Sequence, residues 1–374
     1  MECTLYMADG CNLQCKYCYQ GIDKNKKIMN YETAKQSIDF IVNNLIDDDD
    51  IYITFLGGEP LLNSKMISKI ICYIGEEYNA IRDRFRFSIT TNGTLLNEEM
   101  ISLFKKFKFR TSISMDGTFD TQQLNRKGCT FDMYNQLLVS IKKMIKEGID
   151  YNIRMTVTSN NAQYLFQNIE YFYNQGIKRY DIGFDFFTGW DETEIECLDN
   201  ELKKIDEFYL EHEKEVDLRI NILDDKLIPH ITKRNQCYCN AGSTSHFVVS
   251  SNGDIYPCTY VVGDKEWKLG NVWEGIENSK LWSKIKCSVK NPSPCKTCEI
   301  SALCIGGQCG FMNYSLSGFL NHPVDVECRI EKMLYHHQKN VIIMLKKGGS
   351  KRIEDLLDIA EKYNIELSKF IKAL

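Results

Sequence analysis

Over the first 215 residues, short runs of β-branched and aromatic residues alternate with longer stretches whose apolar residues recur at helical spacing. The predicted strands are 3–7, 51–55, 85–90, 110–115, 151–158 and 180–186. The predicted helices between them are 31–45, 64–78, 97–107, 132–147 and 162–175. This alternation is typical of βαβ units with a parallel sheet. It predicts an α/β fold, a partial (β/α)6 TIM-like barrel covering about three quarters of a full (β/α)8 ring.

The pattern changes after the sixth predicted strand. A polar helical stretch and a short strand-like run at 218–222 lead into a cysteine-rich region, which amphipathic helical stretches follow. We therefore expect a barrel at 1–215, a linker at 216–236, a cysteine-rich domain at 237–330 and a helical tail at 331–374.

Polar or glycine-rich motifs follow each of the first four predicted strands. They are the loop 10–19, Leu56-Gly57-Gly58-Glu59-Pro60, Thr91-Asn92-Gly93 and Asp116-Gly117. Each motif alone is a common turn sequence. Catalytic groups of parallel barrels gather at the carboxyl ends of the strands, so the four motifs together predict one functional rim.

Composition and charge narrow the possible partners. A chain of 374 residues with 43% hydrophobic residues can form two domains with substantial cores. The net charge of −5 provides no basic field, so neither a nucleic acid nor a membrane is expected as a partner. The chain shows neither a long apolar run nor an export signal, which predicts a cytoplasmic protein. In that setting, sixteen cysteines indicate metal sites rather than disulfides.

Three cysteines, Cys11, Cys15 and Cys18, stand close together at the spacing Cys-x3-Cys-x2-Cys. Structural zinc takes four protein ligands, whereas three thiolates on one loop leave a position of an iron–sulfur cluster open. A zinc site that borrows a distant ligand and a disulfide framework are the alternatives.

At these residues the chain resembles the radical S-adenosylmethionine (radical SAM) superfamily, whose signature is this spacing with an aromatic residue, here Tyr17, before the third cysteine. The resemblance implies a 4Fe-4S cluster on Cys11, Cys15 and Cys18, with SAM chelating the remaining iron. Reductive cleavage of SAM then gives a 5′-deoxyadenosyl radical, which abstracts hydrogen from an unactivated carbon. The cofactor carries out the difficult step, and the protein positions and shields it.

The resemblance extends to residues that bind SAM in related enzymes. Gly57-Gly58-Glu59-Pro60 matches a motif that lies along the SAM amino group, where glycines would admit the ligand and a carboxylate would face the ammonium. Ser114 and Arg126 match positions that contact the ribose and carboxylate of SAM. A strand hydroxyl on a satisfied face and a surface ion pair are their respective alternatives. The implied cofactor-binding residues are Tyr17, Gly57, Gly58, Glu59, Ser114 and Arg126.

A second cysteine group contains Cys239 and Cys258, then the run Cys295-x2-Cys298-x5-Cys304-x4-Cys309, and Cys328. This pattern resembles the SPASM extension of radical SAM enzymes, which carries two auxiliary 4Fe-4S clusters. The resemblance assigns Cys239, Cys258 and Cys309 to the cluster nearer SAM, and Cys295, Cys298, Cys304 and Cys328 to the outer one. With the first cluster this makes three 4Fe-4S clusters. Two zinc ribbons are the alternative.

Some cysteines depart from the family's pattern or have no place in it. Cys237 is either a fourth ligand of the nearer cluster or a bystander, and Cys287 is expected to be structural. Four residues separate Cys304 from Cys309 where the family usually has three, which we interpret as a one-residue insertion at 306–308.

SPASM enzymes that resemble this chain mostly modify peptides or proteins, and they imply a flavodoxin- or ferredoxin-type electron donor. Sulfatase maturases carry an aspartate base directly after the cysteine of a Tyr-Pro-Cys motif, where this chain has Thr259 after Cys258. A threonine hydroxyl cannot serve as that base at neutral pH. We therefore expect thioether crosslinking of a cysteine-rich precursor peptide ahead of anaerobic sulfatase maturation.

Other reactions remain open at this point. Carbon–carbon crosslinking and epimerisation of a peptide use the same radical chemistry. A protein that only carries electrons on its clusters is the non-enzymatic alternative, but it would have no use for a SAM site.

Overall fold

The computed structural model describes residues 1–21, 27–45, 49–232, 240–288, 295–301, 303–304 and 309–374. The chain forms two compact units. The first comprises Met1–Met115, Gln122–Ile153 and Asn240–Ser288; the second comprises Asp116–Thr121, Arg154–Cys239 and Val289–Leu374.

The strands and helices follow the predicted order. The strands are β1 (Glu2–Ala8), β2 (Gln14–Cys15), β3 (Ile51–Gly57), β4 (Phe85–Thr91), β5 (Arg110–Ser114), β6 (Arg126–Lys127), β7 (Asp150–Val157), β8 (Arg179–Phe184), β9 (Arg219–Ile220), β10 (His246–Val249), β11 (Asp254–Tyr256), β12 (Gly270–Asn271) and β13 (Gly275–Ile276). The helices are α1 (Tyr31–Asn43), α2 (Ser64–Glu77), α3 (Glu98–Lys106), α4 (Phe119–Asn125), α5 (Phe131–Lys146), α6 (Leu165–Asn174), α7 (Glu192–Glu211), α8 (Asn221–Ile231), α9 (Lys280–Ser288), α10 (Gly310–Ser317), α11 (Asp325–Lys347), α12 (Lys351–Lys362) and α13 (Lys369–Lys372).

The α/β prediction is confirmed. Each of the six predicted strands and five predicted helices is present, and their ends differ from the prediction by a few residues. The predicted helical tail is also present, as α11, α12 and α13. No helix among the described residues combines the length and apolarity needed to cross a membrane.

In the first unit, a mostly parallel sheet has the strand order β13-β12-β11-β10-β1-β3-β4-β5. Strands β10, β1, β3, β4 and β5 run parallel, whereas β11, β12 and β13 add on in antiparallel fashion. The pairing of β10 with β1 was not predicted. It brings the loop after β11, which carries Cys258, into the unit that holds the first cysteine group.

The two faces of this sheet differ in polarity because side chains alternate along each strand. Phe55 and Phe87 stack with ring centroids 6.2 Å apart, and Phe109 lies 5.4 Å from Phe87 on the same side. On the opposite face, Thr54 and Ser88 share a hydrogen bond of 2.7 Å. The apolar rings thus form a core on one face, and the other face is free to carry polar groups.

In the second unit, β8 and β9 pair in parallel, and helices α7, α8 and α11 pack on one another. Strand β9 and helix α8 lie in the segment that we expected to be a linker, and Leu223 and Leu227 are buried there. The charged run Asp224-Asp225-Lys226 and the internal Pro229 conceal the helical period of α8 in the sequence. The domain limits themselves stay a prediction.

Candidate active site at the ends of the parallel strands

The first cysteine group lies on the loop that follows β1. Backbone hydrogen bonds connect this loop to the segment around residues 125–127. Strand β2 pairs with β6, so that Cys15 stands opposite Arg126. The N–H of Lys16 donates to the carbonyl of Asn125 at 2.9 Å. Within the loop, the N–H of Cys18 donates to the carbonyl of Cys15 at 3.2 Å. The spacing of the three cysteines is therefore held by backbone hydrogen bonds.

The surroundings of the three thiols suit an anionic cluster. All three thiols are half-buried. The backbone N–H of Leu13 lies 3.4 Å from Cys11 Sγ, and the side-chain amide of Asn92 lies 3.6 Å from the same sulfur. The guanidinium of Arg126 lies 3.9 Å from Cys15 Sγ. N–H donors and a cation around thiolates are the features that stabilise an iron–sulfur cluster, so these residues fit the implied 4Fe-4S group.

The glycines after β3 are required by the backbone of the cysteine loop. Gly57 has φ +132°, and a Cβ on it would lie 2.2 Å from the carbonyl oxygen of Ala8. A Cβ on Gly58 would lie 2.1 Å from the carbonyl oxygen of Gly10. The N–H of Gly58 donates to Ala8 at 2.7 Å. The structure shows that these glycines admit the chain around residues 8–10, and the expected close approach of SAM to them stays a prediction.

Glu59 is fully buried and its carboxylate is bound by the protein itself. It accepts hydrogen bonds from the Thr91 hydroxyl at 2.6 Å, the Asn92 N–H at 2.8 Å and the Leu61 N–H at 3.0 Å. Its own N–H donates to Gly10 at 2.9 Å. Glu59 thus fastens the ends of β3 and β4 to the cysteine loop. The expected contact with the SAM ammonium stays a prediction.

The other residues matched to SAM contacts lie in the first unit as well. Arg126 is only 4% exposed, and its guanidinium lies 5.3 Å from the ring centroid of Tyr17. The alternative of a surface ion pair for Arg126 is therefore wrong. Ser114 is the half-buried last residue of β5. Asp116-Gly117 belongs to the second unit, where Asp116 accepts a hydrogen bond of 3.0 Å from the N–H of Thr156.

A cleft of about 720 Å³ opens beside the cysteine loop. Its walls include Tyr19 and Gln20, directly after Cys18, and Thr259 and Tyr260, directly after Cys258. The rings of Tyr19 and Tyr260 are 4.8 Å apart. The cleft thus lies between the loop of the first cluster and a loop that carries a predicted auxiliary-cluster ligand.

Sequence reasoning missed Tyr6, a buried residue in the wall of this cleft that connects its two loops by hydrogen bonds. Its hydroxyl donates to the Thr259 carbonyl at 3.2 Å and accepts from the Gln20 amide at 3.2 Å. Burial, together with Tyr19 and Cys258, raises the pKa of Tyr6 well above its usual range, so the phenol stays protonated as a donor. The available signal was the alternation of β1, which places Tyr6 on the face opposite Leu5 and Met7.

The second cysteine group is divided between the two units. Cys258 lies in the first unit, and Cys295, Cys298, Cys304, Cys309 and Cys328 lie in the second. Burial raises the pKa of Cys295, with further contributions from Cys298 and Glu327. Burial also raises the pKa of Cys328 to about 11, with contributions from Glu327 and Cys295. Cys295 thus lies close enough to Cys298 for that thiol to act on its pKa, and close enough to Cys328 to act on the pKa of Cys328.

The full ligand sets stay predictions. Cys237, Cys239 and the expected insertion at 306–308 lie outside the described residues. The side chain of Cys287 does too. Cys304 lies close enough to Lys226 to act on its pKa, and the Lys226 ammonium donates to the Leu303 carbonyl at 2.6 Å.

Two protein families match the chain. The model of the radical SAM superfamily matches residues 5–163, and the SPASM model of an iron-sulfur cluster-binding domain matches residues 237–299.

Several curated proteins are similar over most of their length. A cysteine-type anaerobic sulfatase-maturating enzyme of Clostridium perfringens is 29% identical, over 80% of this chain and 86% of that protein. An uncharacterised protein of Methanocaldococcus jannaschii is 32% identical, over 69% of this chain and 85% of that protein. The antilisterial bacteriocin subtilosin biosynthesis protein AlbA of Bacillus subtilis is 24% identical, over 96% of this chain and 73% of that protein.

Solved structures share the fold. The enzyme anSMEcpe with bound AdoMet has a TM-score of 0.76 and 23% identity, over 96% of this chain and 98% of that one. The same enzyme with AdoMet and the Cp18Cys peptide has a TM-score of 0.73 and 23% identity, over 92% and 99% of the two chains. Streptococcus suis SuiB bound to the precursor peptide SuiA has a TM-score of 0.62 and 17% identity, over 88% and 75%.

Family and fold agree with the cysteine loop and its surroundings, and they set aside the alternative of a simple electron carrier. The chain belongs to the radical SAM superfamily, carries an iron-sulfur cluster-binding SPASM domain, and is an enzyme that uses SAM and 4Fe-4S clusters.

Proposed function

We propose that this enzyme forms a thioether between a cysteine sulfur and a carbon atom of a cysteine-rich precursor peptide. Relatives support a peptide substrate: AlbA takes part in the biosynthesis of a bacteriocin, and SuiB and anSMEcpe have been solved with peptides. A flavodoxin- or ferredoxin-type protein would supply the electrons.

The observation that carries the proposal is the cleft between the Cys18 and Cys258 loops. Its volume of about 720 Å³ lies in the range of ordinary ligand sites and suits a peptide side chain with its flanking backbone. It is lined by residues that directly follow a ligand of the first cluster and a predicted ligand of an auxiliary cluster. A substrate carbon and a substrate sulfur could therefore each face a different metal centre.

The residue at position 259 favours activation of a thiol by metal over activation by a base at that position. Position 259, directly after Cys258, carries a hydroxyl. Two carboxylates also line the cleft. Asp254 pairs with Lys268 at 2.6 Å, whereas Asp9 accepts from Ser251 at 2.8 Å and has a pKa that burial raises. Coordination to a metal deprotonates a thiol without any protein base.

The cofactors that this family uses account for every hydrogen atom and electron in the proposed reaction. When bound, the first cluster and SAM supply a 5′-deoxyadenosyl radical, which takes one hydrogen atom from a peptide carbon and becomes 5′-deoxyadenosine. The substrate thiol would lose its proton to solvent as the sulfur–carbon bond forms, and the auxiliary clusters, when bound, would supply the acceptor for the one electron released. The protein's part is to hold the peptide in the cleft and to exclude water.

The test uses the anaerobically reconstituted enzyme with SAM, dithionite and a cysteine-rich peptide encoded beside its gene. We expect the peptide to lose two hydrogen atoms and one thiol that iodoacetamide can alkylate, with 5′-deoxyadenosine formed in parallel. The matched peptide with serine in place of cysteine should not be crosslinked. Loss of two hydrogen atoms with every thiol still alkylatable would replace the thioether by a carbon–carbon bond.

Cysteine-type sulfatase maturation is the second candidate, and the similarity to the Clostridium perfringens enzyme over 86% of that protein favours it. Its product carries an aldehyde in place of the cysteine thiol, and a hydrazide reagent captures that aldehyde. Because Thr259 cannot act as the base, we expect no aldehyde from a sulfatase-derived cysteine peptide. Aldehyde formation by the unmodified enzyme would make sulfatase maturation the function.

A further inference from the structure

The side chain of Asn92 reaches the first cluster loop from the neighbouring strand. Asn92 directly follows β4 and is 7% exposed. Its Nδ2 lies 3.6 Å from Cys11 Sγ and 2.9 Å from Asn12 Oδ1. A side-chain N–H donor thus points at the sulfur of a predicted cluster ligand.

The orientation of this amide is fixed by its neighbours. Asn92 Oδ1 accepts hydrogen bonds from the Thr94 N–H at 3.0 Å and from the Thr94 hydroxyl at 2.7 Å. A flipped amide would place its NH2 group against the Thr94 N–H, and its oxygen against Asn12 Oδ1. Since donors would then face donors and acceptors would face acceptors, the hydrogen-bond network selects the orientation in which the NH2 group faces Cys11.

The backbone of Asn92 is fixed as well. Its N–H donates to the fully buried carboxylate of Glu59 at 2.8 Å, and the same carboxylate binds Thr91. The hydroxyl of Thr94, in turn, accepts a hydrogen bond from the Asn12 amide at 2.8 Å. Hydrogen bonds thus fix both the backbone and the side-chain amide of Asn92. The amide N–H therefore keeps a constant position relative to Cys11.

We propose that Asn92 sets the reduction potential of the first cluster through an N–H···S hydrogen bond to Cys11. Hydrogen bonds to cluster sulfurs are one of the main controls on iron–sulfur potentials. The reduced cluster carries one more negative charge than the oxidised cluster. A donor at Cys11 therefore stabilises the reduced form more and raises the potential.

The decisive variant is Asn92→Leu, which has a similar size and no donor. The loss of the N–H should make the midpoint potential of the first cluster more negative. We expect at least a tenfold lower ratio of reduced to oxidised cluster at a fixed potential, which is about 59 mV for a one-electron couple. The potential is read from an EPR redox titration of the holoenzyme, in which the first cluster is recognised by the change in its signal when SAM is added.

A second readout distinguishes a direct hydrogen bond from a structural role. In D2O, pulsed EPR of the reduced wild-type enzyme should show several exchangeable deuterons coupled to the first cluster. Asn92→Leu should lose only the coupling of the Asn92 amide, while the couplings from the Leu13 N–H and the Arg126 guanidinium remain. Asn135→Leu, an exposed asparagine on α5, is the matched control and should change neither the potential nor the coupling. An unchanged potential and coupling in Asn92→Leu would overturn the proposal.

If Asn92→Leu fails to assemble its clusters, Thr94→Val provides a second test of the N–H···S hydrogen bond. It keeps the Asn92 donor but removes one of the two hydrogen bonds that orient it. We expect a weaker deuteron coupling and a smaller shift of the potential in the same negative direction. A wild-type potential and coupling in Thr94→Val, beside a failed Asn92→Leu, would show that Asn92 only supports the loop.

Discussion

The carboxylate of Glu59 accepts a hydrogen bond of 2.8 Å from the backbone N–H of Asn92. The residue that follows β3 thus holds the residue that follows β4, and Asn92 in turn contacts Cys11. The two motifs after β3 and β4 therefore act as braces for the cysteine loop. This relationship changes what substitutions at these positions should do.

Glu59→Ala should destabilise the protein rather than affect SAM binding alone. It would leave the N–H groups of Leu61 and Asn92 and the hydroxyl of Thr91 without their common acceptor in a buried site. We expect a loss of about 3 kcal/mol in the free energy of unfolding. We also expect less iron at the first cluster, because the loop that holds it is less well supported.

Chemical unfolding and iron analysis test this expectation. The control is Glu76→Ala, which removes an exposed glutamate on α2. Full stability and full iron content in Glu59→Ala, with weaker SAM binding, would show that Glu59 acts by direct contact with SAM and not by bracing the loop.

Replacing Cys11, Cys15 and Cys18 together by alanine should remove one cluster. With three 4Fe-4S clusters, the wild type should hold about twelve iron and twelve sulfide, and the variant about four fewer of each. Cleavage of SAM to 5′-deoxyadenosine should be lost. Cys72→Ala, at an exposed cysteine on α2, should match the wild type in both assays. Bound zinc without sulfide in protein purified anaerobically would contradict this prediction.

Arg126→Lys should weaken SAM binding although it keeps the positive charge. A lysine ammonium cannot reproduce the planar group that lies 5.3 Å from the Tyr17 ring and 3.9 Å from Cys15 Sγ. We expect about tenfold weaker SAM binding, measured by anaerobic calorimetry, with the clusters retained. The exposed Arg110→Lys is the control. Equal SAM affinity in Arg126→Lys and Arg110→Lys would show that the guanidinium of Arg126 has only a structural role.

His337 should make stability depend on pH. On α11, its Nδ1 lies 2.5 Å from Asp206 and its Nε2 lies 3.1 Å from Asp199, two carboxylates of α7; Lys203 also pairs with Asp199 at 2.6 Å. Burial alone would lower the pKa of His337, but the hydrogen bonds and charges of Asp206 and Asp199 outweigh burial and raise it above 6.5. The protonated imidazole therefore stabilises the folded state.

Because the pKa of His337 is higher in the folded than in the unfolded protein, this stabilisation is complete below pH 6.5 and is lost as the pH rises through the folded pKa. His337→Gln should cost about 2 kcal/mol below pH 6.5 and less at higher pH. Chemical unfolding at several pH values measures this difference. The exposed neighbour His336→Gln should follow the wild type. A constant cost of His337→Gln at all pH values would rule out the ion pairs as its cause.

The parts of this fold that the sequence predicts are those with a regular period. Strands such as β3 alternate buried and partly exposed residues, and the motifs at their ends stand at recognisable positions. Strand β10 has only four residues, and α8 is interrupted by charges and Pro229, so neither gives a clear period. The roles of Gly57 and Glu59 depend on the distant neighbours Ala8 and Thr91, which a local pattern cannot reveal.

Strand β10 pairs with β1 residue by residue, from Glu2 with His246 to Leu5 with Val249. A protein truncated before residue 240 would keep the pairing of β1 with β3 but leave the other side of β1 as an open edge, with unpaired main-chain N–H and C=O groups where β10 had been. Such an edge is a template for pairing with other chains, so the shortened protein should aggregate even if its barrel helices form. The segment that carries Cys258 therefore also protects the edge of β1, the strand that leads into the first cysteine loop, from pairing with other chains.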